Sequence, residues 1–527
     1  MVVMKKIIQV TLLFGTVLLV VFSCDLIEED PFTDIEGSEF FNTEADALAG
    51  LSAAYAQLKT GNGYYRQQWL SNLIAASDQG LSSFNHGAFR TGTISNSDPN
   101  LPVTWTNIYS AIKDANNVIV NTPNIDMDEE LRDRILGEAR FLRALHYFNL
   151  VRAFGPVPLR LEPIQFGEEA GLPVSSVLNI YNQIFIDLGF AVKDCWGKLE
   201  VRNGYVNDLG RVTDVAAHAL LTKAYLHIAS AKRTALEGDL GNAPYLEFPL
   251  EPSRYYALAV TNADEVLASP DYRLAANEFE WASIFDADNG NNDEMIFEIQ
   301  GSSLTEQGTA LANLFSPRLS GLAGGGFGGT NRMIPNFINN YIETSDPRFT
   351  ETIISEFQNS TTDHILNDAQ TGYFRTDIST GEAINTLFVV YTGKYIDRSA
   401  TSEYTSLQNW HVVRLADVYL MRAEALAELA QNPAIANENI NALRTRAGVA
   451  SLYDGAGKTM DDFRTDILRE RSTELHMEGH RFIDLTRMGV YNEYCITVHN
   501  ATRGVRGPED YTWPIPIIES SANASID

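Results

Sequence analysis

The stretch "RLADVYLMRAEALAEL", Arg414 to Leu429, carries the pattern that decides the fold. Its apolar side chains recur every three or four residues, which is the spacing of one face of an α-helix. The stripe consists of Leu415, Val418, Tyr419, Ala425, Leu426 and Leu429. Small residues between large ones let two helices approach closely, as in tetratricopeptide-like repeats. The stretch predicts a closely paired core helix, which we expect to begin near Trp410 and to include Val412.

The same period occurs through most of the chain. Thr43 with Asp46 three residues later predicts one helix start, and Gly155 followed by Pro156 predicts a helix end. Further stripes lie in residues 43–58, 104–119, 128–154, 213–228, 253–267, 437–448 and 460–479. The 34-residue repeat consensus is not visible. We expect a mainly α fold, in which tetratricopeptide-like helical pairs form a scaffold over about 41–270 and 411–490.

The region from about 271 to 410 has a different composition. It is rich in Gly, Asn, Ser and Thr, and its strand-like pieces are short: "MIFEIQ" (295–300) and "TLFVVYTGKY" (386–395). So long a segment is not expected to be structureless inside a compact domain. The sequence predicts a loop-rich insertion with short strands, packed on the helices, within a single domain over 41–527.

The N-terminus has the sequence pattern of a lipoprotein leader. Lys5 and Lys6 precede an apolar run that is too short to span a bilayer comfortably, and the run ends at "FSCDLIEED". We expect residues 1–23 to be a signal peptide, Cys24 to be lipidated, and 24–40 to form an acidic tether. An ordinary secreted protein with a stray cysteine is the alternative. Two or more acyl chains would anchor the protein firmly to a membrane.

Composition restricts the partners. The formal net charge is −29, and it becomes −31 once Lys5 and Lys6 are removed. Such a surface repels nucleic acid and anionic lipid, and it leaves neutral, peptide or cationic ligands open. Cys195 and Cys495 are the remaining cysteines; they form either one bridge or two free thiols.

Several segments together resemble the SusD/RagB family of outer-membrane nutrient-binding lipoproteins. They are "GEARFLRALHYFNLVRAFGPVPL" (137–159), "GRVTDVAAHALLTKAYLHIA" (210–229), the opening stretch together with "ERSTELHMEGHRFIDLTRMG" (470–489), and the tail "WPIP" (513–516). The lipoprotein start and the acidic "DLIEED" agree with this family.

The resemblance implies a cell-exterior lipoprotein resting as a lid on a SusC-like TonB-dependent transporter in the outer membrane. It implies oligosaccharide ligands, or peptides in one branch, and binding and handover rather than enzymatic turnover. It also implies that binding residues occur in the loop between the first two long helices.

Three motifs suggest other chemistry. "ELHMEGH" places His476 and His480 four apart, as on a helix, but the zinc-protease motif needs Glu where Met477 stands. The charged residues around it fall at three- and four-residue steps, which predicts ion pairs that lock helices together. "GGGFGG" (324–329) satisfies G-x-G-x-x-G without the strand before it and the helix after it that a dinucleotide site requires.

"DADNGNNDE" (286–294) is oxygen-rich but does not follow the EF-hand order. We expect a solvated turn there, with a nonstandard structural Ca²⁺ site as the alternative. No other cofactor is expected.

Aromatic side chains in polar loops are the best ligand-binding candidates, because sugars stack on flat rings while amides and charges fix their hydroxyl groups. The loop after Trp69 supplies Asp78, Phe84, Asn85, His86, Phe89 and Arg90, and Trp69 itself either packs beneath the loop or contacts ligand. Secondary candidates from the insertion are Phe327, Asn331, Arg332 and Tyr373.

The sequence is also compatible with three other hypotheses: a peptide-binding member of the same family, a surface glycoside hydrolase, and a scaffold or adhesion protein. No G-x-S-x-G nucleophile elbow occurs, and acidic pairs cannot be assigned by counting.

Overall fold

The protein is described here by a computed structural model that covers residues 40–82, 86–164, 171–305, 307–323, 328–499, 507 and 511–526. Residues 43–527 form one compact unit. The predicted signal peptide, Cys24 and most of the acidic tether lie outside the described residues.

Helices dominate the described part of the chain. They are α1 (Glu44–Ala56), α2 (Gln68–Ala76), α3 (Gly87–Thr91), α4 (Asn100–Asn121), α5 (Glu129–Phe154), α6 (Val177–Asp194), α7 (Asp214–Leu236), α8 (Pro252–Ala268), α9 (Glu278–Ser283), α10 (Leu311–Phe315), α11 (Pro335–Tyr341), α12 (Pro347–Thr350), α13 (Leu415–Ala430), α14 (Asn437–Arg446), α15 (Met460–Glu474), α16 (Arg481–Arg487), α17 (Tyr491–His499) and α18 (Ile517–Ala522). Within the described residues, no helix is both long and apolar enough to span a membrane.

The strands are short. They are β1 (Gly80–Ser82), β2 (Val157–Pro158), β3 (Val174–Ser175), β4 (Val201–Arg202), β5 (Tyr205–Val206), β6 (Met295–Ile299), β7 (Asn331–Met333), β8 (Glu356–Gln358), β9 (Thr362–Leu366), β10 (Tyr373–Asp377), β11 (Ala383–Leu387) and β12 (Trp410–Arg414).

Neighbouring helices pack in pairs, which confirms the predicted mainly α scaffold. Helix α5 packs on α4 and α6, α7 packs on α8, and α8 packs on α13. The predicted helix signals are present: Thr43 and Asp46 form a reciprocal capping box, and α5 stops at Gly155, whose φ of 72° suits glycine.

The expected start of the core helix near Trp410 is wrong. Trp410 to Arg414 form strand β12, which pairs antiparallel with β6, and α13 begins only at Leu415. Every residue of both strands is buried. A fully buried strand shows no alternation of apolar and polar residues, so its apolar run merged with the helical stripe that follows it.

The insertion contains more sheet than its sequence predicts. "MIFEIQ" is strand β6, as predicted, but "TLFVVYTGKY" contributes only its first two residues to β11. Strands β8 to β11 form an antiparallel sheet in the order β11-β10-β9-β8. One face of this sheet builds a small core around Tyr373 and Tyr391, against which Leu81 of β1 packs.

Charged side chains of the 470–489 segment are buried in what we call the central ion-pair cluster. Its cations are Arg348, Lys394, Arg414, Arg444 and Arg446, and its carboxylates are Glu294, Asp346, Glu470, Glu474 and Glu478. The predicted ion pairs are confirmed, but most partners come from distant segments rather than from the next helical turn. The cluster ties the scaffold to the insertion.

The two described cysteines, Cys195 and Cys495, are buried and not disulfide-bonded to each other. Burial raises the pKa of the Cys195 thiol well above its usual value, so this side chain is an apolar packing group at neutral pH.

Candidate ligand-binding surface

A two-stranded ribbon brings together the two segments in which the sequence predicts ligand-binding residues. Strand β1 pairs antiparallel with β7, and Leu81 lies opposite Arg332. A Cβ atom at Gly80 would lie 2.7 Å from the Arg332 carbonyl oxygen, so this close pairing requires glycine. The loop that follows β1 and the glycine-rich loop that precedes β7 therefore emerge from the same end of the ribbon.

His86 belongs to a hydrogen-bonded frame between α2 and β1. Its Nε2 lies 2.8 Å from Nε2 of Gln68, and its Nδ1 lies 3.1 Å from Oγ of Ser82. Burial lowers the pKa of His86 to about 4, so the ring is neutral at pH 7. The Gln68 amide donates to Nε2, and the Nδ1 proton is donated to Ser82. His86 therefore joins α2 to β1, and its buried ring presents no free face.

Trp69 and Phe89 pack in the core, which corrects Phe89 as a ligand contact and agrees with the packing alternative for Trp69. Both rings lie edge to face on Trp513, at centroid distances of 5.6 Å and 5.1 Å. Phe482 stacks on the same indole at 5.8 Å. All six tryptophans of the chain are buried. A loop aromatic without helical register is thus not a sufficient signal, because Trp513 comes from a segment far away in sequence.

Asp78 is also structural. Its carboxylate is buried and accepts two hydrogen bonds from Arg481, both 2.9 Å long. Tyr341 and Tyr494 flank the same guanidinium at 5.0 Å. The ion pair fixes the end of α2 to the start of α16, so the Asp78 carboxylate is not available to a ligand.

Tyr373 is buried in the core of the four-stranded sheet. Its hydroxyl donates to the Ile354 carbonyl oxygen at 2.7 Å and accepts from the Tyr391 amide at 3.2 Å. Burial raises the pKa of Tyr373 above its usual value. The residue was selected as a loop aromatic, but it begins strand β10 and faces inward.

Arg90 remains at the surface, on the short helix α3. Asn331 is buried beside Ser71, and Arg332 is half-buried beside the Tyr391 hydroxyl. Phe84, Asn85 and Phe327 lie outside the described residues. Of the predicted site residues that the structure describes, Arg90 and Arg332 therefore keep side chains that are at least partly exposed.

Two further aromatic side chains, which the sequence analysis did not select, are exposed or half-buried. Phe388 is 66% exposed and lies two residues before Val390, which bridges to Met333 of β7. Tyr404 is half-buried, with the Arg66 guanidinium 3.8 Å above its ring, and its hydroxyl accepts from Asn62 at 3.0 Å. In the sequence, both are aromatic residues within polar segments. The buried Tyr373 has the same pattern, so the pattern does not separate exposed rings from buried ones.

The described residues do not bring the zinc-like motif into a metal-binding arrangement. Helix α15 ends at Glu474, and Met477 and Gly479 have φ values of 61° and 79°, so His476 and His480 do not share a helix. His476 contacts Thr352 and the Thr473 carbonyl oxygen. Across the described ranges, no group of three or more His, Cys, Asp or Glu side chains is arranged to hold a metal.

The other two motifs have local structural explanations. The described part of the glycine run, Gly328 and Gly329, precedes strand β7 instead of following a strand, which is the reverse of the dinucleotide-binding order. In the acidic turn, Asp293 pairs with Arg273 at 3.1 Å, and Glu294 pairs with Arg414 at 3.0 Å. These two carboxylates already have cationic partners.

Paired helices form the scaffold of this protein, and polar and aromatic side chains such as Arg90 and Phe388 are exposed on the segments that join them. Two family sequence models match the chain: one described as "SusD family" over residues 284–525 and one described as "Starch-binding associating with outer membrane" over residues 33–226. The chain belongs to the SusD/RagB family, as its sequence segments indicate.

Curated relatives cover most of the chain. A SusD-like protein P2 of Formosa agariphila is 23% identical over 91% of this chain and 90% of its own length. The starch-binding protein SusD of Bacteroides thetaiotaomicron is 25% identical over 76% of this chain and 72% of its own length.

Solved structures share the fold. A laminarin-binding SusD-like protein is 26% identical, with a TM-score of 0.70 over 92% of this chain and 99% of its own. A SusD homologue from Bacteroides thetaiotaomicron is 21% identical, with a TM-score of 0.75 over 95% of this chain and 99% of its own.

Proposed function

We propose that the protein is a cell-surface lipoprotein that binds oligosaccharides and passes them to a partner TonB-dependent transporter in the outer membrane, without catalysing a reaction on them. The observation that carries glycan binding is the whole-chain similarity to the laminarin-binding structure. The starch-binding relative supports the same ligand class.

The geometry of the loop surface is compatible with this ligand class. The exposed Arg90 guanidinium and Asn62 amide are donors for sugar hydroxyl groups, while Phe388 offers an exposed ring. The β1–β7 ribbon and the His86 frame fix Ser82, His86 and Asn331 in place before a ligand arrives, which reduces the entropy lost on binding. A neutral glycan also avoids repulsion by the acidic surface.

The direct test is an array of glycans and peptides, probed with the chain beginning at Asp25. We expect signals from one glycan family. Arg90→Ala and Phe388→Ala should each weaken binding to it by about tenfold, which corresponds to 1.4 kcal/mol. Phe279→Ala is the matched control, because Phe279 is 80% exposed but lies on α9, which belongs to a different core cluster.

Three results would count against glycan binding. Peptide signals without glycan signals would favour the peptide-binding branch. Release of shortened glycans, abolished by neutralising one carboxylate, would indicate a hydrolase. Equal loss of affinity in Phe279→Ala and Phe388→Ala would remove the argument for this surface.

The anchor and the partner need separate tests. Cys24→Ala should release the protein from the membrane fraction, and retention of this variant would contradict lipid anchoring. Purification of the wild-type protein from outer membranes should co-purify a large β-barrel transporter, and its absence would contradict the handover step.

A further inference from the structure

A small cavity with an unusual excess of positive charge lies inside the helical scaffold. It opens where α5, α7, α13, α15 and α16 meet, and it has room for about one water-sized group. Four cationic side chains line it: Arg152, Lys223, Arg471 and Arg487. It is separate from the loop surface around β1 and β7.

Three of these cations have carboxylate partners. Lys223 lies 2.7 Å from Asp417, and Arg471 lies 2.8 Å from the same Asp417 and 2.8 Å from Asp484. Arg487 pairs with Asp484 at 2.9 Å.

Arg487 also pairs with Glu424. Three carboxylates therefore balance three cations, and Arg152 is left as the fourth.

Arg152 has only neutral partners within the described residues. Its Nε donates to the Phe148 carbonyl oxygen at 3.0 Å, and one terminal nitrogen donates to Oδ1 of Asn149 at 2.7 Å. Its guanidinium stacks on the Phe148 ring at 3.7 Å. Burial lowers the pKa of Arg152, and only tyrosine hydroxyls oppose this effect. Arg152 is half-buried, and a cation that is partly removed from water without a counter-charge favours binding of a compensating anion.

A second unpartnered polar group lines the same cavity. His227 is buried, and its Nε2 lies 2.8 Å from the Tyr245 hydroxyl. Its Nδ1 has no hydrogen-bond partner in the described part of the chain. Burial and the nearby Arg152 and Arg487 lower the pKa of His227, so the ring is neutral. In the tautomer in which the Tyr245 hydroxyl donates to Nε2, the ring proton lies on Nδ1 and lacks an acceptor.

We propose that this cavity binds one small monovalent anion of halide size, held by the Arg152 guanidinium and the Nδ1–H of His227. The single uncompensated positive charge fits one negative charge. The size of the cavity excludes phosphate, sulfate and carboxylate ligands. The anion links the end of α5 to α7, so it stabilises the scaffold rather than the glycan-binding surface.

The first test locates the ion in the wild-type protein. Crystals soaked in sodium bromide should show an anomalous peak within hydrogen-bond distance of both Arg152 and His227. A cavity that contains only water, with no anomalous peak, would overturn the proposal. This measurement requires no variant.

The second test measures linkage to stability. Replacing sodium gluconate by sodium chloride at constant ionic strength should raise the Tm of the wild-type protein with a saturating concentration dependence. Arg152→Gln should abolish this rise. Arg132→Gln should preserve it, because Arg132 is a partly exposed cation of the same helix whose nearest carboxylate, on Glu129, is 3.9 Å away. An equal chloride response in all three proteins would refute the site, and unchanged glycan binding by Arg152→Gln would separate it from the proposed function.

Discussion

Glu474→Gln should strongly destabilise the protein, because Glu474 connects three arginines of the central ion-pair cluster. Its carboxylate lies 2.6 Å from Arg446, 2.7 Å from Arg414 and 3.4 Å from Arg348. The cluster contains five cations and five carboxylates. The substitution keeps the shape of the side chain and leaves the buried cluster with one uncompensated positive charge.

The magnitude follows from what the three arginines retain. Removing one partner of a buried ion pair costs about 3–5 kcal/mol. Arg348 keeps Asp346 and Glu470, and Arg414 keeps Glu294 and Glu478. Because every arginine retains at least one carboxylate, we expect a loss of about 3 kcal/mol, at the lower end of that range.

Urea unfolding monitored by tryptophan fluorescence provides the assay, with Glu237→Gln as the control. Glu237 forms an ion pair with Arg233 but is 55% exposed, so its loss should cost less than about 1 kcal/mol. If Glu474→Gln and Glu237→Gln cost the same, the argument that the cluster requires charge balance is refuted.

The pH dependence gives an independent check. Burial alone would raise the pKa of Glu474, but Arg446, Arg414 and Arg348 outweigh it and hold this pKa below its usual range. A depressed carboxyl pKa contributes stability above the unfolded pKa of about 4.3 and loses it as the pH falls. The stability difference between wild type and Glu474→Gln should therefore be full at pH 7 and should shrink below about pH 4.

Three further predictions concern other parts of the molecule. Burial raises the pKa of Glu298 to about 7. A raised carboxyl pKa removes stability as the pH rises from about 4.5 to 7, so Glu298→Gln should be more stable than wild type at pH 8 by up to about 3 kcal/mol. The two proteins should be equally stable at pH 4, and urea titrations at both pH values test this. Trp513→Ala should lower the free energy of unfolding by about 3–5 kcal/mol, because it removes the ring on which Trp69, Phe89 and Phe482 pack; a loss below 1 kcal/mol would contradict this core. Gly80→Ala should weaken glycan binding measured by calorimetry while leaving Tm within a few degrees, because the new Cβ would push β1 away from β7; unchanged affinity would show that the ribbon does not organise the surface.

Local signals made the helical scaffold predictable from the sequence. The stripe from Leu415 to Leu429, the cap at Thr43 and the stop at Gly155 act over only a few residues, and all three occur in the structure. Strand β12 was missed because its partner β6 lies more than 100 residues earlier, and pairing over such a distance leaves no local periodicity.

The candidate surface could be predicted only as a region. The sequence predicted binding residues in both loops that the β1–β7 ribbon joins, but it did not predict that β1 pairs with β7. Phe89, Asp78 and Tyr373 were chosen as polar-loop residues, and each is buried against a partner outside its local segment: Trp513, Arg481 and Ile354. Burial is a property of tertiary contacts, so residue type and local context could not separate these side chains from Arg90.

The charges of "ERSTELHMEGH" show why the most specific sequence segment is structural and not catalytic. Glu474 ends α15, and Glu478 lies in the turn that follows, between Met477 and Gly479, which both have positive φ. This turn lets Glu478 reach Lys394 and Arg414, both at 0–1% side-chain exposure. A buried carboxylate without these cations would be costly, and the cations without the turn would lack their counter-charge. Turn geometry and charge placement therefore depend on one another, and a substitution in either should destabilise the junction between scaffold and insertion without removing any group that contacts the proposed ligand.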